Sequence, residues 1–169
     1  MLTVLMECRD QESELAQTLS VLVSGAVEGL VSDVAVLDHG SNDASSRVAD
    51  AAGCRFYQDW SLSDVLGASR GEWVMLIEVG ARPQIGWIDE VAEHIAMNRT
   101  PARFSPSRNH KRPFYRRIGR SMPPLELGFI VQKTQAMTLS KAGMQLGDLA
   151  RGQKAFQLIS EIVPAWAAR

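Results

Sequence analysis

Four apolar runs in the first eighty residues each lead into an acidic side chain. Thr3-Val4-Leu5-Met6 leads into Glu7, Val34-Ala35-Val36-Leu37 into Asp38, and Val74-Met75-Leu76-Ile77 into Glu78; Cys54 to Tyr57 is followed by Asp59. If the runs are strands of one parallel sheet, the carboxylates share a rim, because ligands of such sheets bind outside the carboxyl ends of the strands. A carboxylate there can accept hydrogen bonds from a ligand. The competing reading is that acids follow strands because loops are polar and helix N-termini favour Asp and Glu. That reading is weaker for Asp38 and Glu78, which directly abut buried runs at equivalent positions.

The elements that would carry this rim alternate. Between the first two runs, Leu15, Leu19, Leu22, Val23 and Ala26 recur at helical spacing, with Ser13 as the expected N-cap. Asp38-His39-Gly40-Ser41-Asn42-Asp43 supplies turn residues, and Ala44 to Ala52 a helix closed by Gly53. Leu62 to Ser69 reads as a further helix, and Pro83 as the start of another whose Trp87, Ile88, Val91, Ala92 and Ile95 share one face. Near-continuous apolar strands separated by single helices predict an α/β protein with a Rossmann-like, doubly wound, mainly parallel sheet.

Past residue 98 the character changes. Residues 99–124 carry Arg99, Arg103, Arg108, Lys111, Arg112, Arg116, Arg117 and Arg120, five prolines and no acid, and read as a long basic loop. Taking those eight cations from a net charge of -1 leaves the remainder at -9. Leu125 to Val131 is expected to be a strand, Ala136 to Leu139 a short element, and Leu149 to Val163 an amphipathic helix. One domain is expected over residues 1–169: a ligand-binding half at 1–98, the basic loop, and a smaller C-terminal part at 125–169. The composition, 46% hydrophobic and 22% charged over 169 residues, is that of an ordinary globular domain. No window approaches a membrane span, the Leu2–Met6 run lacks the marks of a secretory signal, and Cys8 and Cys54 suggest neither a disulfide framework nor a metal site. A cytoplasmic protein is expected.

Three stretches carry a resemblance. Val36-Leu37-Asp38-His39-Gly40-Ser41-Asn42-Asp43 resembles the Val-Val-Asp-Asp-Gly-Ser-Thr-Asp turn of the family-2 glycosyltransferases, Arg9-Asp10-Gln11-Glu12 resembles their Arg-Asn-Glu-Glu, and Ala68 to Glu78 resembles the run entering their Asp-x-Asp motif. Order and spacing agree across residues 1–90. The resemblance implies the glycosyltransferase-A fold and transfer of a sugar from a nucleotide-sugar donor, in bacterial envelope or polysaccharide synthesis. It implies nucleotide contacts from Glu7, Arg9, Asp38, Gly40, Ser41 and Glu78, a manganese or magnesium ion bridging the diphosphate, and a general base that falls at Asp148 in Gly147-Asp148-Leu149.

The chain departs from that pattern where the metal would sit. Gly80 stands at the second Asp of Asp-x-Asp, leaving Glu78 with His39 as the metal-ligand candidates, and the acceptor half is short. Restoring an oxygen ligand with Gly80→Asp is the expected repair. A rival reading is therefore a catalytically inactive binding or scaffold protein on the same fold. The basic segment offers three uses: a clamp on the diphosphate through Arg112, Arg116 and Arg117, attraction to an anionic membrane surface at the inner face of the membrane, or a partner-protein contact through residues 99–120. No nucleic-acid motif is present, and His94 and His110 are too isolated to serve as metal ligands.

Overall fold

The computed structural model describes residues 1–111 and 121–168. Its first half follows the predicted alternation. Strand β1 (Leu2–Cys8) leads to helix α1 (Glu12–Val27), β2 (Val31–Asp38), α2 (Ser45–Ala51), β3 (Arg55–Tyr57), α3 (Leu62–Ala68) and β4 (Trp73–Leu76). Then come β5 (Arg82–Pro83), α4 (Trp87–Met97), β6 (Ala102–Pro106), β7 (Phe129–Gln132), α5 (Lys133–Leu139), α6 (Leu146–Ala150), β8 (Phe156–Val163) and a 3-10 helix, Ala165–Ala168.

The strands form one sheet in the order β3-β2-β1-β4-β7-β6-β8-β5. β3, β2, β1 and β4 are mutually parallel, while β7 pairs antiparallel with both β4 and β6. β6 and β8 are parallel, and β5 returns antiparallel on β8. Chain order reverses direction across the sheet between β1 and β4. That switch point opens a crevice at the carboxyl ends of the two strands.

The central strands read as unbroken apolar runs because both faces are covered. On one face Leu2, Val4, Met6 and Cys8 pack with Leu15, Leu19 and Leu22 of α1 and with Trp87 and Val91 of α4. On the other, Leu5 and Leu37 meet Val65 and Leu66 of α3, Ala136 of α5 and Leu146, Leu149 and Ala150 of α6. Period two places Glu7 on this second face, the side of α6. Both cysteines are free thiols, and burial pushes Cys54 up to about 11.

Several expected elements differ. Helix α1 starts at Glu12, so Ser13 lies inside its first turn and Gln11 takes the cap position without a side-chain cap bond. Pro83 belongs to β5, and α4 begins at Trp87 after Gly86, whose φ of 88° suits a residue without a Cβ. The segment expected to be a loop contains β6, with Ala102 and Phe104 fully buried. Leu149–Val163 is not one helix: α6 stops at Ala150, Gly152 turns at φ 72°, and Phe156–Val163 is a strand. Leu149, Phe156, Ile159 and Val163 fit a helical spacing only by coincidence, since Phe156 and Ile159 are exposed.

Candidate functional site

At the switch point lies a cleft of about 480 Å³. Glu7 from the end of β1 and Glu78 just past β4 face it, together with Glu126, Asp148, Arg151 and Trp166. Of the residues singled out in the sequence, Glu7, Glu78 and Asp148 are thus brought together. Glu126, Arg151 and Trp166 were not singled out. Glu126 is a buried acid, only 7% exposed, and that burial has no local sequence signal. Trp166 reaches the cleft from the 3-10 helix after β8, so it could be anticipated only by knowing β8 to be a strand.

The turn after β2 adjoins the cleft without lining it. Asp38 is 2% exposed, and its carboxylate is committed to its own turn. It accepts from the Gly40 N–H at 3.1 Å, the Ser41 N–H at 3.0 Å and the Ser41 hydroxyl at 2.5 Å. The Ser41 Oγ in turn accepts from the Asp10 N–H at 2.9 Å, while Asp10 Oδ1 accepts from the Asn42 N–H at 2.7 Å. These crossed bonds lace the loop after β1 to the loop after β2, and they hold Asp10 at φ 50°, a left-handed conformation that Asp tolerates. Arg9 is exposed beside this lacing. The Trp60 indole N–H donates to the Asp38 carbonyl at 3.1 Å and fixes the turn from a third loop.

His39 packs edge-on against Trp60, with ring centroids 5.3 Å apart, and its Nε2 lies 3.4 Å from Glu7 Oε2. The other Glu7 oxygen accepts from the Leu146 N–H at 2.7 Å. Asp148 is held within its own helix. Its Oδ2 accepts from the Gln145 N–H at 3.0 Å in a capping box, and its Oδ1 lies 3.6 Å from Arg151 Nη2.

Gly80 does not face the cleft. It sits at φ 99°, donates its N–H to Thr18 Oγ1 at 2.7 Å, and packs against the 3-10 helix. A Cβ there would lie 3.1 Å from the Ala165 carbonyl oxygen and 3.2 Å from the Ala168 Cβ.

The donor set bears on a divalent cation. Among the described residues, no three His, Cys, Asp or Glu side chains group to hold a metal ion by themselves. Magnesium bound with a substrate phosphate does not need such a cage, since one or two carboxylates and the phosphate oxygens suffice. Four carboxylates and one guanidinium line the cleft among the described residues, hard oxygen donors that suit magnesium or manganese. The same excess of negative charge would repel a bare diphosphate. The residues present therefore fit a cation that arrives with a diphosphate.

The basic segment contributes less free charge than its sequence suggests. Arg103 is drawn inward and donates to the Ala150 carbonyl at 2.6 Å, and Arg108 pairs with Glu161 at 3.0 Å. Arg112, Arg116 and Arg117 lie outside the described residues. Among the described residues, no helix is long and apolar enough to cross a membrane.

No family model and no curated protein matches this sequence. Solved structures do. Glucosyl-3-phosphoglycerate synthase from Mycobacterium tuberculosis, in complex with Mn2+, uridine diphosphate and glucosyl-3-phosphoglycerate, superposes with a TM-score of 0.65 at 16% identity over 97% of this chain and 71% of that one. A mycobacterial protein gives 0.64 at 21% identity, over 94% of this chain and 64% of that one. TarS residues 1–349 from S. aureus give 0.64 at 12% identity over 88% of this chain, which spans 52% of that one. At these identities the likeness speaks for the fold, and the fold is of the glycosyltransferase-A type.

Proposed function

We propose that this chain binds a nucleoside diphosphate sugar in the switch-point cleft and transfers the sugar to an acceptor hydroxyl, in bacterial envelope or polysaccharide synthesis. The observation that carries the reading is the convergence of Glu78, Asp148 and Arg151 on one cleft where the strand order reverses. The solved neighbour holding uridine diphosphate and Mn2+ supports it at the level of the fold, and the resemblance of residues 1–90 supports the envelope role.

In this reading Asp148 removes the proton from the acceptor hydroxyl as its oxygen forms a bond to the anomeric carbon. The bond from that carbon to the diphosphate oxygen breaks, and the nucleoside diphosphate leaves with the electron pair. A divalent cation, when bound, neutralises the charge that develops on that leaving group, and Glu78 is the residue that would hold it. Arg151 adds one positive charge beside Asp148. The Asp38 turn and Arg9 form the neighbouring wall for the nucleoside.

One observation favours a second reading, binding without turnover. Gly80 is turned away from the cleft and backed by Ala165, so the second position of Asp-x-Asp brings no carboxylate to the cleft. The two readings separate in one assay. Uridine and guanosine diphosphate sugars are incubated with the protein and manganese, and released nucleoside diphosphate is measured. Release that falls sharply but stays measurable in Asp148→Asn supports transfer; saturable binding with no release by wild type supports the second reading; neither binding nor release removes both.

A further inference from the structure

Helix α6 carries Asp148 but has only five residues, too few to hold its own shape in water. Its position is imposed from both ends by charged side chains of distant strands. At the N-terminus Glu7 Oε1, from β1, accepts from the Leu146 N–H at 2.7 Å. At the C-terminus Arg103 Nη2, from β6, donates to the Ala150 carbonyl at 2.6 Å. The signs match the polarity of the helix, with an anion at the end of free N–H groups and a cation at the end of free carbonyls. Both clamping side chains are themselves held. Glu7 has His39 Nε2 3.4 Å away, and the Arg103 guanidinium lies over the Phe129 ring with 5.3 Å to its centroid. Between the two ends, Leu146, Leu149 and Ala150 are buried against the sheet, which leaves Asp148 facing the cleft.

We infer that Glu7 and Arg103 are positioning residues, a two-ended clamp that fixes α6 and so sets Asp148 in the cleft wall. Glu7 then serves the protein's own helix in place of the nucleotide contact that the sequence resemblance implied. The inference rests on the reading of Asp148 as the base, but the clamp itself can be observed without any reaction.

The test uses the full chain with Glu7→Ala, Glu7→Gln, Arg103→Met and Asp148→Asn. Amide exchange at residues 146–151 reads the clamp directly. Glu7→Ala should speed exchange of the Leu146 amide by about tenfold or more, and Glu7→Gln should recover most of the protection because its side-chain oxygen still accepts that bond. Arg103→Met should loosen the same helix from its other end. Uridine diphosphate affinity with manganese should stay within about twofold of wild type in Glu7→Ala. Release of uridine diphosphate from its glucose conjugate should fall in kcat with little change in KM. Adding Glu7→Ala to Asp148→Asn should lower it no further, since a positioning residue has nothing left to position.

Unchanged exchange at Leu146 in Glu7→Ala would overturn the clamp, and if uridine diphosphate affinity drops as well, Glu7 is a nucleotide ligand. If wild type neither binds nor turns over the nucleotide, the reading of function fails by itself, and the exchange data still decide the clamp.

Discussion

A Cβ placed on Gly80 would stand 3.1 Å from the carbonyl oxygen of Ala165, so the position that would complete an Asp-x-Asp motif is closed by the 3-10 helix that follows β8. Gly80 is therefore more than a lost ligand. At φ 99° it is also the residue that lets the chain turn from β4 toward β5 while its N–H reaches Thr18. Gly80→Ala is expected to destabilise the protein by about 1–3 kcal/mol, combining left-handed strain with the Ala165 contact. Gly80→Asp should cost at least as much and should not strengthen metal-dependent nucleotide binding beyond that of wild type, contrary to the repair expected from sequence. Denaturant midpoints for the two variants, with manganese titrations of Gly80→Asp, check both statements.

Asp38 stabilises its turn before it can serve any ligand. Asp38→Ala leaves the N–H groups of Gly40 and Ser41 without their acceptor and unties the loop that Ser41 shares with Asp10. A loss of about 2–3 kcal/mol is expected, since the bonds go to a charged and buried acceptor. Asp38→Asn keeps one oxygen acceptor and should lose less. Urea unfolding of the three proteins orders them wild type, Asn, Ala. A stability of Asp38→Ala equal to wild type would contradict the turn's role.

A second acid has a structural task on the opposite edge. Across β6 and β8, Arg103 pairs with Gln157 but Ser105 pairs with Glu161, so β8 bulges between those positions. The bulge turns the N–H groups of Ile159 and Ser160 toward the Glu90 carboxylate of α4, each at 2.6 Å. Burial works to raise the pKa of Glu90, yet hydrogen bonds from Ser160 and Ile159, with His94 nearby, leave it below its ordinary 4.5. A depressed folded value means that this stabilisation is present above the unfolded pKa and is lost as pH falls through the folded one. Glu90→Ala should cost about 1 kcal/mol at neutral pH, and Glu90→Gln should flatten the loss of stability that wild type shows below pH 4.5. Thermal melts from pH 7 to pH 3 measure both.

The legibility of this fold tracks how each strand is covered. β1, β4 and the second half of β2 are buried on both faces, so their sequences are continuous apolar runs, and the acids that end them mark the rim without any structure. β8 was hidden because its bulge breaks the period of two: Phe156 and Ile159 face solvent while Leu158, Ile162 and Val163 are buried. The signals that could have identified it were Gly152, which stops α6, and the β-branched Ile159, Ile162 and Val163. β6 was masked by Pro101 and Pro106 and by Arg103, whose charge reads as surface until Ala150 and Phe129 are seen beside it. Glu7 and Glu78 could be singled out from strand ends alone. Asp148 could be reached only through resemblance, and Glu126 and Trp166 only through tertiary structure.

The cleft is expected to receive a nucleoside diphosphate together with a divalent cation held by Glu78. Calorimetric titration of uridine diphosphate and guanosine diphosphate into wild type and Glu78→Ala, each with manganese and with chelator, tests it most directly. Saturable binding of at least one nucleotide to wild type with manganese is expected, weakened about tenfold or more by chelator and by Glu78→Ala, with the two losses not adding. Wild-type binding that is indifferent to both chelator and Glu78→Ala, or no binding of either nucleotide at millimolar concentration, would contradict it.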